Sequence, residues 1–257
     1  MAQPSAGVLR PGDLLVSVSS GGQLVAPLRE TMVDPHLRTQ TLCHVFPGKT
    51  FCQAATLFAG LALRWVRREV LGNPSDRAFT LQLEEAAAVP AGADGLLFLP
   101  YLLGDRCPHP DSAARGVLAG LTLRHGRGHI LRDALEVMLG IGVQPERLVA
   151  AGGGMHIPLW RQIVAEVLGR PLLPLESADQ STLGADMLAG ISTGLFPDLP
   201  TAVQALVFYG LPIVLDPTNV ATYQQRFSSY QQLYPASQAA QGNVVDGWPS
   251  ASSTPTW

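Results

Sequence analysis

Gly152, Gly153 and Gly154 stand between the apolar run Leu148 to Ala151 and the amphipathic stretch from His156 to Leu168. Lacking Cβ atoms, this backbone can take positive φ and let a flat or bulky ligand lie directly on the main chain. The helix expected after the glycines would point its N-terminal N–H groups at the same spot, which suits a phosphate or a ribose. A strand-glycine-helix corner also serves tight packing, so the residues alone leave both readings open. Ser19, Ser20, Gly21 and Gly22 form a second candidate, between the apolar runs Leu14 to Val18 and Gln23 to Pro27. A glycine-containing hairpin tip exposes N–H donors and Ser20 adds a hydroxyl, although such a tip is equally an ordinary turn. His109, His125 and His129 lie close together in sequence but lack the glutamate and third ligand of a metalloenzyme helix, so they read as solvated or structural and no metal site is expected. The order Gly152-Gly-Gly-Met-His-Ile157 is not the G-x-G-x-x-G of a dinucleotide fold, which argues against a dinucleotide-dependent oxidoreductase.

These residues need a scaffold, and the hydrophobic pattern supplies one. Arg10-Pro-Gly-Asp13 launches a strand at Leu14, Gln23 to Pro27 returns as a hairpin, and Thr41 to Phe46 reads as a third strand. Apolar and small residues recur at helical spacing from Cys52 to Leu71, a second helix covers Leu81 to Ala88, and Gly95 to Leu99 and Gly116 to Leu121 read as buried strands. A helix from Gly128 to about Leu139, a strand from Arg147 to Ala151, a helix from His156 to Leu168, a strand from Pro171 to Leu175 and a helix from Asp179 to Gly194 follow. Three strands and then alternating helices and strands predict an α/β layer architecture, with a mixed sheet flanked by helices. The Ser-, Pro-, Gly- and Gln-rich stretch 237–257 is expected to have no fixed structure.

At 257 residues and 47% hydrophobic, the chain can bury one large core or two modest ones. A net charge of −3 argues against nucleic acid or an acidic membrane as main partner. The one basic cluster, Arg64-Trp-Val-Arg-Arg68, reads as a solvated helix edge. Three cysteines, Cys43, Cys52 and Cys107, have neither metal spacing nor an even count, which fits a reducing compartment. With no membrane-length apolar run and no signal-like start, the expected location is the cytoplasm.

The segment Leu96-Leu-Phe-Leu-Pro-Tyr-Leu-Leu-Gly-Asp-Arg-Cys-Pro-His-Pro-Asp-Ser-Ala-Ala-Arg-Gly116 resembles a xylulokinase pattern in which Tyr-Leu-x-Gly-acid-Arg-x-Pro-His precedes an Arg-Gly strand. Ala59-Gly60 with Arg64-Trp65, the glycine corner with Leu159-Trp-Arg-Gln162, Leu183-Gly-Ala185 and Tyr230-Gln-Gln-Leu-Tyr-Pro235 extend the likeness. From about Gly7 to Pro235 the chain resembles the C-terminal half of the FGGY carbohydrate kinases, the xylulokinases above all.

The resemblance implies an actin-like ATPase, ribonuclease-H-like domain over 7–236 that forms half of an ATP cleft. It implies that Ser19, Ser20 and Gly21 approach the ATP phosphates, that Gly60 and Arg64 border the adenine, and that Gly153 and Gly154 lie against the adenosine. The complete enzyme would use ATP and Mg2+ to phosphorylate D-xylulose. In the family, the base, the metal-linked acid and the sugar pocket belong to an N-terminal domain, so no catalytic residue is assigned here and the chain alone is expected to be inactive. Asp13 begins a strand and reads as a cap rather than a base, while Asp105 and Arg106 could pair or brace the cleft loop. The connection from Glu136 to Gly152 reads as about three helical turns shorter than the family's. Sugar would bind only with an N-terminal domain, and a partner chain that supplies it or a homodimer is compatible with the resemblance. The alternatives are a non-catalytic nucleotide- or partner-binding domain, and a kinase half for another pentulose or polyol.

Overall fold

The structure, a computed structural model, describes residues 2–72, 75–136, 145–176 and 180–245. Its centre is a six-stranded sheet of β1 (Asp13–Val18), β2 (Gly22–Pro27), β3 (Gln40–Cys43), β4 (Thr50–Thr56), β7 (Arg147–Ala151) and β8 (Leu172–Pro174), in the order β3-β4-β2-β1-β7-β8. The first four strands pair antiparallel, with Leu15 opposite Val25, whereas β7 runs parallel to both β1 and β8, with Leu15 beside Val149. β5 (Leu97–Leu99) and β6 (Val117–Ala119) form a separate two-stranded ribbon.

Successive side chains of a strand point to opposite faces, so a strand covered on both sides must be apolar throughout. β1 shows this directly: Leu14, Val16 and Val18 enter one core and Leu15 the other. In β7, Leu148 and Ala150 join the first core while Val149 and Ala151 join the second. The first core is closed by α2 (Gly60–Trp65), α4 (Arg127–Leu135), α5 (Pro158–Leu168) and α8 (Pro217–Val245). The second is closed by the short α1 (Ala2–Ser5) region, α6 (Gln180–Ser192) and α7 (Leu199–Leu206). Full burial of each such Leu or Val contributes about 1.5–3 kcal/mol, which fixes the register of β1 between β2 and β7.

Four expectations are corrected. The stretch from Cys52 is strand, not helix, because Thr50 to Thr56 pairs along the whole of β2, Ala26 opposite Cys52 and Gly22 opposite Thr56; the helix starts only at Gly60. The third strand ends at Cys43, where the chain turns and the Phe46 N–H donates to His44 Nδ1 at 3.1 Å. Residues 237–245 are helical rather than without structure, since α8 runs on to Val245 and Gln241 exchanges two 3.1 Å hydrogen bonds with the Arg115 backbone. α3 (Asp76–Ala87) begins earlier than expected, with Ser75 accepting from the Ala78 N–H. The shortened connection after Glu136 and the residues beyond 245 fall largely outside the described residues.

Candidate functional site

The hairpin tip between β1 and β2 is closed by the Ser19 N–H donating to the Gly21 carbonyl at 2.9 Å. The outward carbonyls of Ser19 and Ser20 then accept from the N–H groups of Ala59, Gly60 and Leu61 at 2.8–3.0 Å. The tip therefore caps α2 with main-chain oxygens in place of a side chain. This contact explains two glycines. A Cβ on Gly60 would sit 2.3 Å from the Ser19 oxygen, and one on Gly21 would sit 2.5 Å from the Thr56 oxygen.

At the other corner Gly152 alone of the three glycines has positive φ, 92°. A Cβ there would lie 2.4 Å from the Val18 oxygen, so the residue lets β7 turn tightly over the end of β1. The helix does not start at once. A 3-10 turn, Gly153–His156, intervenes before α5, whose first residue Pro158 has no N–H to offer. The α5 N-terminus is thus set back from the glycines, and the backbone that follows Gly152 directly belongs to the 3-10 turn.

Hairpin tip, α2 and glycine corner converge on one open cleft of about 420 Å³. Ser19, Ser20, Gly60, Arg64, Gly153 and Gly154 all line it; Gly21 does not, its Cβ direction being turned against the backbone at the end of β4. Gly153 and Gly154 differ: nothing lies within 4 Å of a Cβ built on Gly153, whereas one on Gly154 would meet Val18 Cγ1 at 2.6 Å and Trp160 Cζ3 at 2.9 Å. Both line the cleft, but a side chain on Gly153 would project into open space and one on Gly154 into Val18 and Trp160.

Sequence reasoning missed Leu63, Arg67, Phe79, Ile157 and Trp160 in the lining. Gly60, Leu63, Arg64 and Arg67 follow the i, i+3, i+4, i+7 spacing of one helix face, a signal that was available. Phe79 comes from α3 and carries no local signal. The basic cluster is therefore only in part a solvated edge, because Arg64 and Arg67 line the cleft and the Arg67 guanidinium lies 3.6 Å from the Phe79 ring centroid. Two guanidinium groups and no carboxylate among the described lining residues make the cleft attractive to an anion.

The remaining candidates have structural work. Asp13 accepts from the N–H groups of Leu9 and Arg10 at 3.2 Å and from Arg147 Nε at 2.9 Å, so it caps the turn. Asp105 accepts from Thr56 Oγ1 at 3.0 and 3.1 Å and from the Leu57 N–H at 2.9 Å, bracing the end of β4; burial pushes its carboxyl up against the pull of those bonds. Its neighbour Arg106 is exposed. His125 and His129 accept backbone N–H bonds at Nδ1, from Thr122 and Gly126, and turn Nε2 to the Asp94 carbonyl and carboxylate. His109 stacks on Tyr234 with ring centroids 4.0 Å apart, and His156 is exposed. Among the described residues no group of three His, Cys, Asp or Glu could hold a metal ion, and no helix is long and apolar enough to cross a membrane. A second depression of about 440 Å³, lined by Pro27, His44 and Lys49 among others, sits at the opposite end of β2 and gathers none of the residues singled out by sequence.

A mixed sheet with helices on both faces, and a hairpin tip meeting a glycine corner across a cleft lined by two guanidinium groups, make an α/β domain with the actin-like ATPase fold. The chain belongs to the FGGY family of carbohydrate kinases: the family model for the C-terminal domain matches residues 24–193. It is 30% identical over 240 residues to a xylulose kinase of Bacillus subtilis, covering 89% of this chain and 48% of that protein. A solved xylulose kinase from Rhodospirillum rubrum superposes with a TM-score of 0.81 at 32% identity, over 94% of this chain and 50% of that one. An autoinducer-2 kinase of Salmonella paratyphi A is 27% identical over 261 residues, 94% of this chain and 48% of the relative. The chain spans about half the length of the curated relatives it matches.

Proposed function

We propose that this chain forms the nucleotide-holding wall of an ATP-dependent sugar kinase, whose complete form transfers the γ-phosphoryl group of ATP to a hydroxyl of D-xylulose, giving ADP and D-xylulose 5-phosphate. The observation that carries this is the convergence of Ser19, Ser20, Gly60, Arg64, Gly153 and Gly154 on one cleft in a chain of this family.

The residues fit a nucleotide. The Ser19 and Ser20 hydroxyls are exposed at the tip and can donate to phosphate oxygens, Gly60 and Arg64 stand beside the adenine, and open Gly153 lets adenosine lie on backbone. Together they hold and align the phosphate chain, which is most of what phosphoryl transfer asks of a protein. Magnesium does not fit here. A hard cation needs oxygen ligands with at least one or two carboxylates, and the described cleft lining has none. No step is therefore assigned to the ion on this wall, and the base that takes the acceptor's proton likewise lies outside the residues gathered here. Relatives named for xylulose and for autoinducer-2 match almost the same stretch, which fits an acceptor chosen by another part of the enzyme.

The experiment is ATP-dependent formation of xylulose 5-phosphate by the purified chain, with and without the N-terminal half of a related xylulose kinase. Turnover appearing only on addition supports the reading. Robust turnover by the chain alone would overturn the division of labour, and absence of any nucleotide binding would overturn the site.

A further inference from the structure

We infer that the depression beside the start of β4 is a second ligand site, which takes a small organic monocarboxylate. Lys49 and the Nε2–H of His44 receive the carboxylate, and Leu9, Leu28 and Phe46 receive its apolar body. The site shares no lining residue with the nucleotide cleft and does not depend on the nucleotide reading.

One turn builds it. β3 ends at Cys43 and β4 begins at Thr50; between them the His44 N–H donates to the Lys49 carbonyl at 2.8 Å and the Lys49 N–H to the Phe46 carbonyl at 3.2 Å. The turn therefore brings His44 and Lys49 together, and both line the depression. At the neighbouring end of β2 the Leu28 N–H donates to the Thr50 carbonyl at 2.9 Å. These main-chain donors are engaged within the protein, so an occupant must be held by side chains.

His44 carries the argument. It is only 8% exposed. Its Nδ1 accepts from the Phe46 N–H, which leaves the proton of the neutral ring on Nε2. Phe46 stacks on the ring with centroids 5.2 Å apart, and Phe51 stands nearly perpendicular to it at 6.4 Å. The Nε2–H is buried and has no acceptor among the described residues. Buried donors are almost always paired, and one that is not is a standing cost that an acceptor from outside the chain relieves. Burial also holds the ring below the ordinary histidine pKa, so it offers this proton as a neutral donor.

The lining sets the class of ligand. Lys49 is exposed, enters none of the ion pairs among the described residues, and is the one charged residue in the described lining. One ammonium and one neutral donor match a single negative charge shared over two oxygens. A phosphate dianion finds too few donors here, and the apolar walls would strip its water without return. Those walls suit a short alkyl or aryl group instead, and about 440 Å³ is room for a molecule of that size.

The test is an NMR titration of the full chain with phenylacetate, with its uncharged amide and with inorganic phosphate. Affinities are read from saturation transfer to the ligand, and location from the His44 ring signal. Phenylacetate should bind saturably in the millimolar range and move that signal, and the amide should bind more weakly. Lys49→Met and His44→Asn should each weaken phenylacetate about tenfold. Asparagine keeps an acceptor near the Nδ1 position but is too short to replace the Nε2–H. Absence of saturable binding, unchanged affinity in Lys49→Met, or phosphate bound as tightly as phenylacetate would each overturn the inference. Thermal melts accompany both variants; if His44→Asn unfolds, Lys49→Met, altered only at an exposed side chain, decides alone.

Discussion

Gly153 and Gly154 are chain neighbours with opposite surroundings, and the contrast sets what substitution can reveal. Gly154→Val would drive Cβ into Val18 and Trp160. Overpacking of this kind costs about 1–3 kcal/mol, so we expect a melting temperature lower by roughly 3–10 °C. A thermal melt unchanged from the unaltered chain would show that Gly154 does not face the core. Ser20→Ala removes one hydroxyl at the phosphate end, a loss of about 1 kcal/mol. ATP affinity should fall about fivefold while adenosine affinity stays constant; an equal loss for both in a competition series would place Ser20 away from the phosphates. The glycine triplet and the Ser-Gly tip were legible in the sequence because their composition is unusual. Which glycine has open space beside it was not, because that depends on Val18 and Trp160, brought there by β1 and α5.

Elements were legible where their period was local. β1, β2, β7 and α5 announce themselves, but β4 does not: Ala54, Ala55 and the small residues after it carry a helical rhythm, and only pairing with β2 makes them strand. α8 was hidden by its Gln- and Ser-rich surface, although Tyr223, Phe227, Tyr230 and Tyr234 fall on one helical stripe packed into the first core. Its last turns are held by the paired amide of Gln241 on Arg115, so Gln241→Ala should cost about 1–2 kcal/mol, read as a lower midpoint in urea unfolding. An unchanged midpoint would mean those turns are not anchored. The α4–α8 contact holds a further test. Asp133 is buried, with Arg226 at 3.8 Å as its ion-pair partner, and burial pushes its carboxyl well above the usual carboxylate range. An acid whose pKa is raised on folding binds its proton more tightly in the folded chain. The stability it supports is full below the unfolded value and falls as pH rises toward the folded one. Asp133→Asn, which cannot ionise, should therefore raise the melting temperature at pH 7–8 relative to the unaltered chain and flatten the decline from about pH 4 upward. A steeper decline in the variant would contradict the direction.

At the scale of the whole molecule, a sheet covered on both faces is open only where strand ends and helix starts meet, and the cleft lies there. The fold could be inferred from the order of strands and helices together with the family likeness. The limits of the cleft could not, because Phe79 of α3 meets Arg67, in the π-helical turn Val66–Val70 after α2, only through packing against α4 and the first core. One wall of a cleft can hold a nucleotide while a second wall brings the acceptor, and the complementation assay above addresses that division. The account's central claim, that this wall receives ATP against the glycine corner, is tested most directly at Gly153. Its backbone is not in the positive-φ region and the space beside it is open, so Gly153→Val can fold normally and yet occupy the ligand's place. Calorimetric titration with ATP should show binding by the unaltered chain and none by Gly153→Val, with melting temperatures within a degree or two of each other by the small effect expected of a substitution into open space. Equal ATP affinity in the two proteins would contradict the account.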